Sequence, residues 1–159
     1  MVDQKDSQIL KLLQENARLS NAEIGERVGL SASTVFERVK KMQKKGIIKG
    51  YVAVVDPGAV GKPIGAFVRL TVNAPPGESY VACKRDFVAA CQAEPDVLEC
   101  HAVAGEDCYI LKVRAGDPAG LEALLERLRE RAAVSSSASN IILSTYKETT
   151  LVEAVVQVD

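Results

Sequence analysis

The sequence has no tryptophan, a single histidine (His101) and only three phenylalanines among its 159 residues. One histidine with no nucleophile paired to it makes a poor catalytic base. There is no phosphate loop and no metal-ligand spacing, so an enzyme is not expected, nor a cofactor. Long apolar runs are missing too. The stretch 47–60 is broken by Lys, Gly, Asp and Pro, and no run approaches the roughly 20 apolar residues of a membrane helix. The opening MVDQKDSQIL lacks the basic and apolar regions of an export signal. The expected location is cytoplasmic, with no membrane partner. Cys83, Cys91, Cys100 and Cys108 form no CxxC pair, which argues against a disulfide framework. Cys100 and His101 are neighbours on an expected strand and face opposite sides, so they do not share a metal ion.

Net charge is also nearly absent, at −1, but the balance is uneven. Residues 1–62 hold 11 Lys/Arg against 7 Asp/Glu, and residues 63–159 hold 9 against 14. A basic front end suits a polyanion and an acidic back end does not.

The front end contains three helix patterns in quick succession. Asp3 is a plausible N-cap, with Ile9, Leu12 and Leu13 on one apolar face. SNAE supplies a capping box, Ser20 with Glu23, and Ala22, Ile24 and Val28 are the expected buried side. Gly29 ends that helix, and Ser31 caps the next after only Gly29 and Leu30. Two helices joined by so tight a turn describe a helix-turn-helix. In the second, SASTVFERVKKMQKKG, Val35, Val39 and Met42 form the inward stripe. Ser33, Thr34, Glu37, Arg38 and Lys41 then turn outward.

Those residue types suit double-stranded DNA. Ser31, Ser33 and Thr34 place short hydroxyls at a helix start, where they and the free backbone N–H groups can donate to phosphates or base edges. Arg38 can make two parallel hydrogen bonds to guanine or phosphate. Lys41 and Lys45, with Lys40 and Lys44, add point charges along the backbone. Phe36 lies off the inward stripe. Contact with a thymine methyl and packing on the first helix are both open, and packing is the expectation. IIKGYVAVVD follows as an extended segment able to form a wing, and a linker rich in Pro and Gly comes after it.

The remaining residues read β-α-β-β-α-β. The strands are IGAFVRLTV, VLECHAVAG, DCYILKVRAGD and SSSASNIILSTYKE. The helices are ESYVACKRDFVAACQAEP and PAGLEALLERLRER. This is the ferredoxin-like order, with both helices on one sheet face. Runs such as AFVRL and CYILKV hardly alternate, which suggests an apolar second face and two copies packed sheet to sheet. The tail TTLVEAVVQVD reads as another strand. The expected fold class is α+β: a winged helix-turn-helix over 1–50, a linker strand over 51–62, a ferredoxin-like sensing and oligomerisation domain over 63–148, and a tail over 149–159.

Two motifs in this order, SNAEIGERVGLSASTVFERVKKMQKKGIIKGY and ECHAVAGEDCYILKV, make the chain resemble the Lrp/AsnC (feast/famine) family of transcription regulators. The resemblance implies a regulator that binds DNA as a homodimer or a higher even assembly, often an octamer. It also implies a small-molecule effector, an amino acid, held between subunits. Carried over residue by residue, Gly105, Glu106, Asp107 and Cys108 form the effector loop, and Ser136 and Ser137 face the ligand from a partner. The family's common pattern is glycine, aspartate, aromatic, aspartate. Here Glu106 and Asp107 take the middle and Cys108 the last place. A ligand-independent, architectural DNA-wrapping protein is the alternative reading.

Overall fold

The computed structural model describes residues 2–104 and 109–155. The chain divides into two compact units, Met1–Ala53 with Tyr146–Asp159, and Val54–Thr145.

The first unit is built on three helices: α1 (Gln4–Glu15), α2 (Asn21–Val28) and α3 (Ala32–Lys44). Asp3 accepts from the Asp6 N–H, and Asp6 accepts in return from the Asp3 N–H, so α1 begins with a capping box. Ser20 and Glu23 make the same arrangement at α2. Ser31 accepts from the Thr34 N–H at the start of α3. Each cap satisfies backbone donors that the helix itself leaves open. Gly29 sits at φ 69° in the turn, a left-handed conformation that glycine adopts without a Cβ penalty. Gly25 matters for a different reason. A Cβ there would lie 2.4 Å from the Leu30 carbonyl oxygen, so the turn closes onto α2 only over a bare Cα. Ile9, Ile24, Val28, Val35 and Met42 are the buried side chains of this unit, with Leu12, Leu13, Leu30 and Val39 packed around them. Ala22, expected inside, is exposed, and Gly25 is buried in its place.

Two extended segments differ from their sequence reading. Residues 47–56 form no strand, and Tyr51, Val52, Val54 and Val55 are exposed. The described part of the tail forms no strand either. Instead Gln14 on α1 holds it through two bonds: the Val152 N–H donates to Gln14 Oε1 at 2.8 Å, and Gln14 Nε2 donates to the Val152 carbonyl at 3.1 Å. A side-chain amide presents one donor and one acceptor, so it can pair with an extended backbone without a neighbouring strand.

The second unit contains β1 (Ile64–Val72), α4 (Tyr80–Ala93), β2 (Val97–Ala102), β3 (Tyr109–Ala115), α5 (Pro118–Arg131) and β4 (Val134–Ile141). The strands form one antiparallel sheet in the order β2-β3-β1-β4. Ala66, Val68, Leu70 and Val72 alternate inward along β1, and Tyr109, Leu111, Val113 and Ala115 along β3. Phe87 and Cys91 from α4 and Leu121, Leu124 and Leu128 from α5 complete the core. The Phe87 and Tyr109 rings lie with centroids 4.5 Å apart. Burial pushes the Cys91 thiol up to about 12 and raises that of Cys100, so both behave as apolar packing groups.

The opposite sheet face is not the apolar surface expected from the runs AFVRL and CYILKV. Strand pairing places Phe67, Arg69 and Thr71 there beside Ile110, Lys112 and Arg114. Glu99 and His101 join them from β2, where Glu99 accepts from His101 Nε2 at 3.0 Å. The alternation is regular, and the positions between the inward ones are mixed, with Arg69, Lys112 and Arg114 beside Phe67 and Ile110. Cys100 lies opposite Leu111, on the helix side, while His101 lies opposite Ile110 on the other.

Candidate functional site

Helix α3 carries the first candidate surface. Its N-terminus gathers hydroxyls: Ser31 Oγ lies 2.7 Å from Thr34 Oγ1 and 3.0 Å from Ser33 Oγ. Ser33, Thr34, Glu37, Lys40, Lys41, Lys44 and Lys45 are all exposed. The outward face read from the sequence is therefore the solvent face of the helix, anchored underneath by Val35 and Met42. Four lysines within six positions give that face a positive field that attracts a polyanion.

Arg38 is placed differently from its neighbours. Its Nη1 donates to Asp3 Oδ2 at 2.6 Å and to Asp6 Oδ1 at 2.8 Å, and its side chain is 30% exposed. The guanidinium holds the Asp3 carboxyl below its ordinary range, helped by the Asp6 N–H, and the two carboxylates raise Arg38 in turn. Arg38 thus ties α3 to the first turn of α1. The same two aspartates that form the capping box of α1 also position α3. The sequence held no signal for this pairing, because Arg38 is more than thirty positions from either partner. Lys5, on the same first turn of α1, donates to the Val28 carbonyl at the end of α2. One helix start therefore braces both halves of the helix-turn-helix.

Phe36 is the second surprise on α3. It is 49% exposed, so about half of the residue stands in solvent. Lys40 Nζ lies 5.7 Å from its ring centroid.

The second candidate region is in the sheet unit. Gly105, Glu106, Asp107 and Cys108 lie outside the described residues. Their flanks are described: Ala102 pairs with Tyr109 at the end of the β2–β3 hairpin where the two strands are connected. Tyr109 pairs with Leu70, and Leu70 pairs with Ser137. Tyr109, at the foot of the loop, and Ser137 therefore share one row across the sheet, two strand spacings or about 10 Å apart. Ser136 and Ser137 do not face the same way. Ser137 opposes the buried Leu70 and accepts from Arg129 Nη2 at 2.7 Å, while Ser136 opposes Thr71 on the other sheet face. Arg129 also pairs with Glu126. Among the described residues no group of three or more His, Cys, Asp and Glu side chains could hold a metal ion.

Comparison with known proteins adds a family to this geometry. Residues 2–49 match the winged helix-turn-helix DNA-binding family, and residues 66–152 match the Lrp/AsnC ligand binding domain. The chain belongs to the Lrp/AsnC family. It is 32% identical over 148 residues to the leucine-responsive regulatory protein of Salmonella typhimurium, covering 92% of this chain and 88% of that protein. The Haemophilus influenzae leucine-responsive regulatory protein is 33% identical over 149 residues, 93% of this chain and 87% of that one. Among solved structures, a transcriptional regulator from Neisseria meningitidis in complex with L-Met superposes with a TM-score of 0.86 at 33% identity. It covers 94% of this chain and 95% of that one. A feast or famine regulatory protein from M. tuberculosis complexed with L-methionine gives 0.87 at 33% identity, covering 97% and 100%. The chain is thus a transcription regulator of this family, with a DNA-binding helix-turn-helix and a ligand-binding domain. Among the described residues no helix is long and apolar enough to cross a membrane.

Proposed function

We propose that this regulator binds chosen DNA sequences through α3 and that an amino acid alters its assembly or its DNA affinity. The observation that carries the effector half is the match, over 94% and 97% of the chain, to two regulators solved with L-methionine. The face carrying Ser33, Thr34, Glu37 and Lys41 supports the DNA half, with Ser31 at the helix start and Lys45 along the phosphates. Arg38 acts as a positioning residue through Asp3 and Asp6. Gly105, Glu106, Asp107 and Cys108 contact the effector, with Glu106 or Asp107 accepting from its ammonium group. Ser136 and Ser137 lie at the same end of the sheet, and Ser136 is the better placed for a ligand held between copies of the chain. The active species is a homodimer or a higher even assembly, acting in the cytoplasm without a catalytic step. The effector must bind one assembly better than another, since equal affinity for both would shift nothing.

A thermal-shift screen against the twenty amino acids tests this reading. Wild type responds to at least one of them, and saturating amounts change the Kd for a selected duplex by about fivefold or more. Asp107→Ala or Glu106→Ala abolishes the response. A response unchanged in both variants removes the loop from the site, and no response to any amino acid removes the effector.

A further inference from the structure

An aromatic ring standing half in solvent on a lysine-rich helix face needs an account. Phe36 is 49% exposed, whereas Ile9, Ile24 and Val35 of the same unit are completely buried, so folding of the helix-turn-helix leaves about half of this residue in solvent. It follows the buried Val35, about 100° around the helix, on the flank away from Arg38. Ser33 and Lys40, three before and four after, share that flank. Lys40 stands 5.7 Å from the ring centroid, a cation–π distance that restrains both side chains. Arg38 meanwhile is engaged by Asp3 and Asp6.

We propose that Phe36 is a specificity-determining residue of α3 that packs its ring against a thymine 5-methyl group in the major groove. A phenyl ring offers no hydrogen bond, and the thymine methyl is the apolar group that a base pair presents in that groove. The lysines at 40, 41, 44 and 45 supply the charge complementarity that brings the duplex to this face. Lys40, held at the ring, is then directed to the phosphate beside the contacted base. This inference rests on the reading that α3 enters the major groove.

The test uses the full chain and a duplex selected by wild type from a random-sequence pool. Each thymine is replaced in turn by deoxyuridine, which removes only the methyl group, and Kd is measured at fixed salt. At one thymine position or more, wild type loses about fourfold, the effect of one methyl's burial. Phe36→Ala binds the thymine and deoxyuridine duplexes equally. Phe36→Leu, which keeps an apolar surface, retains part of the discrimination. Indifference of wild type to deoxyuridine at every position overturns the inference, as does full discrimination by Phe36→Ala. A change of oligomeric state in Phe36→Ala, seen by sedimentation, overturns it as well and assigns the ring to a contact between copies. Dimethyl sulfate footprinting separates the two readings. Guanine N7 protection in the selected site with no methyl effect defeats only the role of Phe36. No N7 protection anywhere in the site defeats major-groove entry by α3.

Discussion

In the helix-turn-helix unit every helix starts on a side-chain cap: Asp3, Ser20 and Ser31 each accept from a backbone N–H. In the sheet unit α5 has such a cap in Asp117, but α4 does not, since Ser79 makes no side-chain bond to the helix start. The cores differ in the opposite sense. Among the described residues, five buried side chains hold three helices together in the first unit, whereas fifteen buried residues, Phe87, Leu111, Leu124 and Leu128 among them, fill the space between the sheet and its two helices. Fully burying one such side chain stabilises by about 1.5–3 kcal/mol, and a cap by about 1 kcal/mol. A helix laid along a sheet can therefore go without a capped end. Short helices around a small core cannot, and their local hydrogen bonds carry a larger share of the stability. The ion pairs follow the same division. Arg38 joins two helices at an exposed edge, while Arg127 reaches Glu94, which is only 7% exposed, to close the sheet unit.

The contrast can be broken most sharply at Phe87. Phe87→Ala removes the ring packed on Tyr109 and should cost about 3–5 kcal/mol. Denaturant titration followed by tyrosine near-ultraviolet dichroism reads this directly, because no tryptophan masks the signal. A loss below about 1 kcal/mol would mean that the sheet core is not what holds this unit.

Glu94→Gln comes next, with an expected loss of about 1–2 kcal/mol at neutral pH. The figure lies below that for a fully buried pair because Arg127 is 40% exposed. The Arg127 guanidinium holds Glu94 below the ordinary carboxylate range. A lowered folded value contributes stability above the unfolded value, and that contribution disappears as pH falls through the folded one. The gap between wild type and variant should therefore close in acid, below the ordinary glutamate range. A gap that stays constant down to that pH would assign the loss to packing instead of charge.

The smallest effect is the most direct test of the comparison. Ser20→Ala should destabilise by about 1 kcal/mol, seen as faster amide exchange in α2. Ser79→Ala should change stability by less than about 0.5 kcal/mol and leave exchange in α4 as it was. Equal losses at the two serines would erase the distinction between the units.

Much of this arrangement was legible before any coordinates. The caps at Asp3, Ser20 and Ser31, the glycine turn at Gly29 and the leucine stripe of α5 are local patterns, fixed by hydrogen bonds and periodicities within a few residues. So was the βαββαβ order. Several of the misreadings involve partners distant in the chain, and others, such as Ala22, concern which side of an element a residue faces. Arg38 meets Asp3 and Asp6, a pairing that helical spacing within α3 does not reveal. Phe36 was expected to pack because large apolar groups usually do, yet about half of it remains in solvent. The second sheet face looked apolar because adjacent letters such as Ile110 and Leu111 were read together, although the pleat sends them to opposite sides. The tail looked like a strand by composition, yet it pairs with a glutamine side chain.

Sequence alone determined the helix caps at Asp3, Ser20 and Ser31, the order of the sheet unit's elements and the leucine stripe of α5, because each depends on near neighbours. Only the tertiary structure decided which charges meet across helices, which aromatic stays in solvent and which serine of 136 and 137 faces the open side. Those outcomes depend on strand register and helix seating, which are set by the packing of the whole unit and by no single segment.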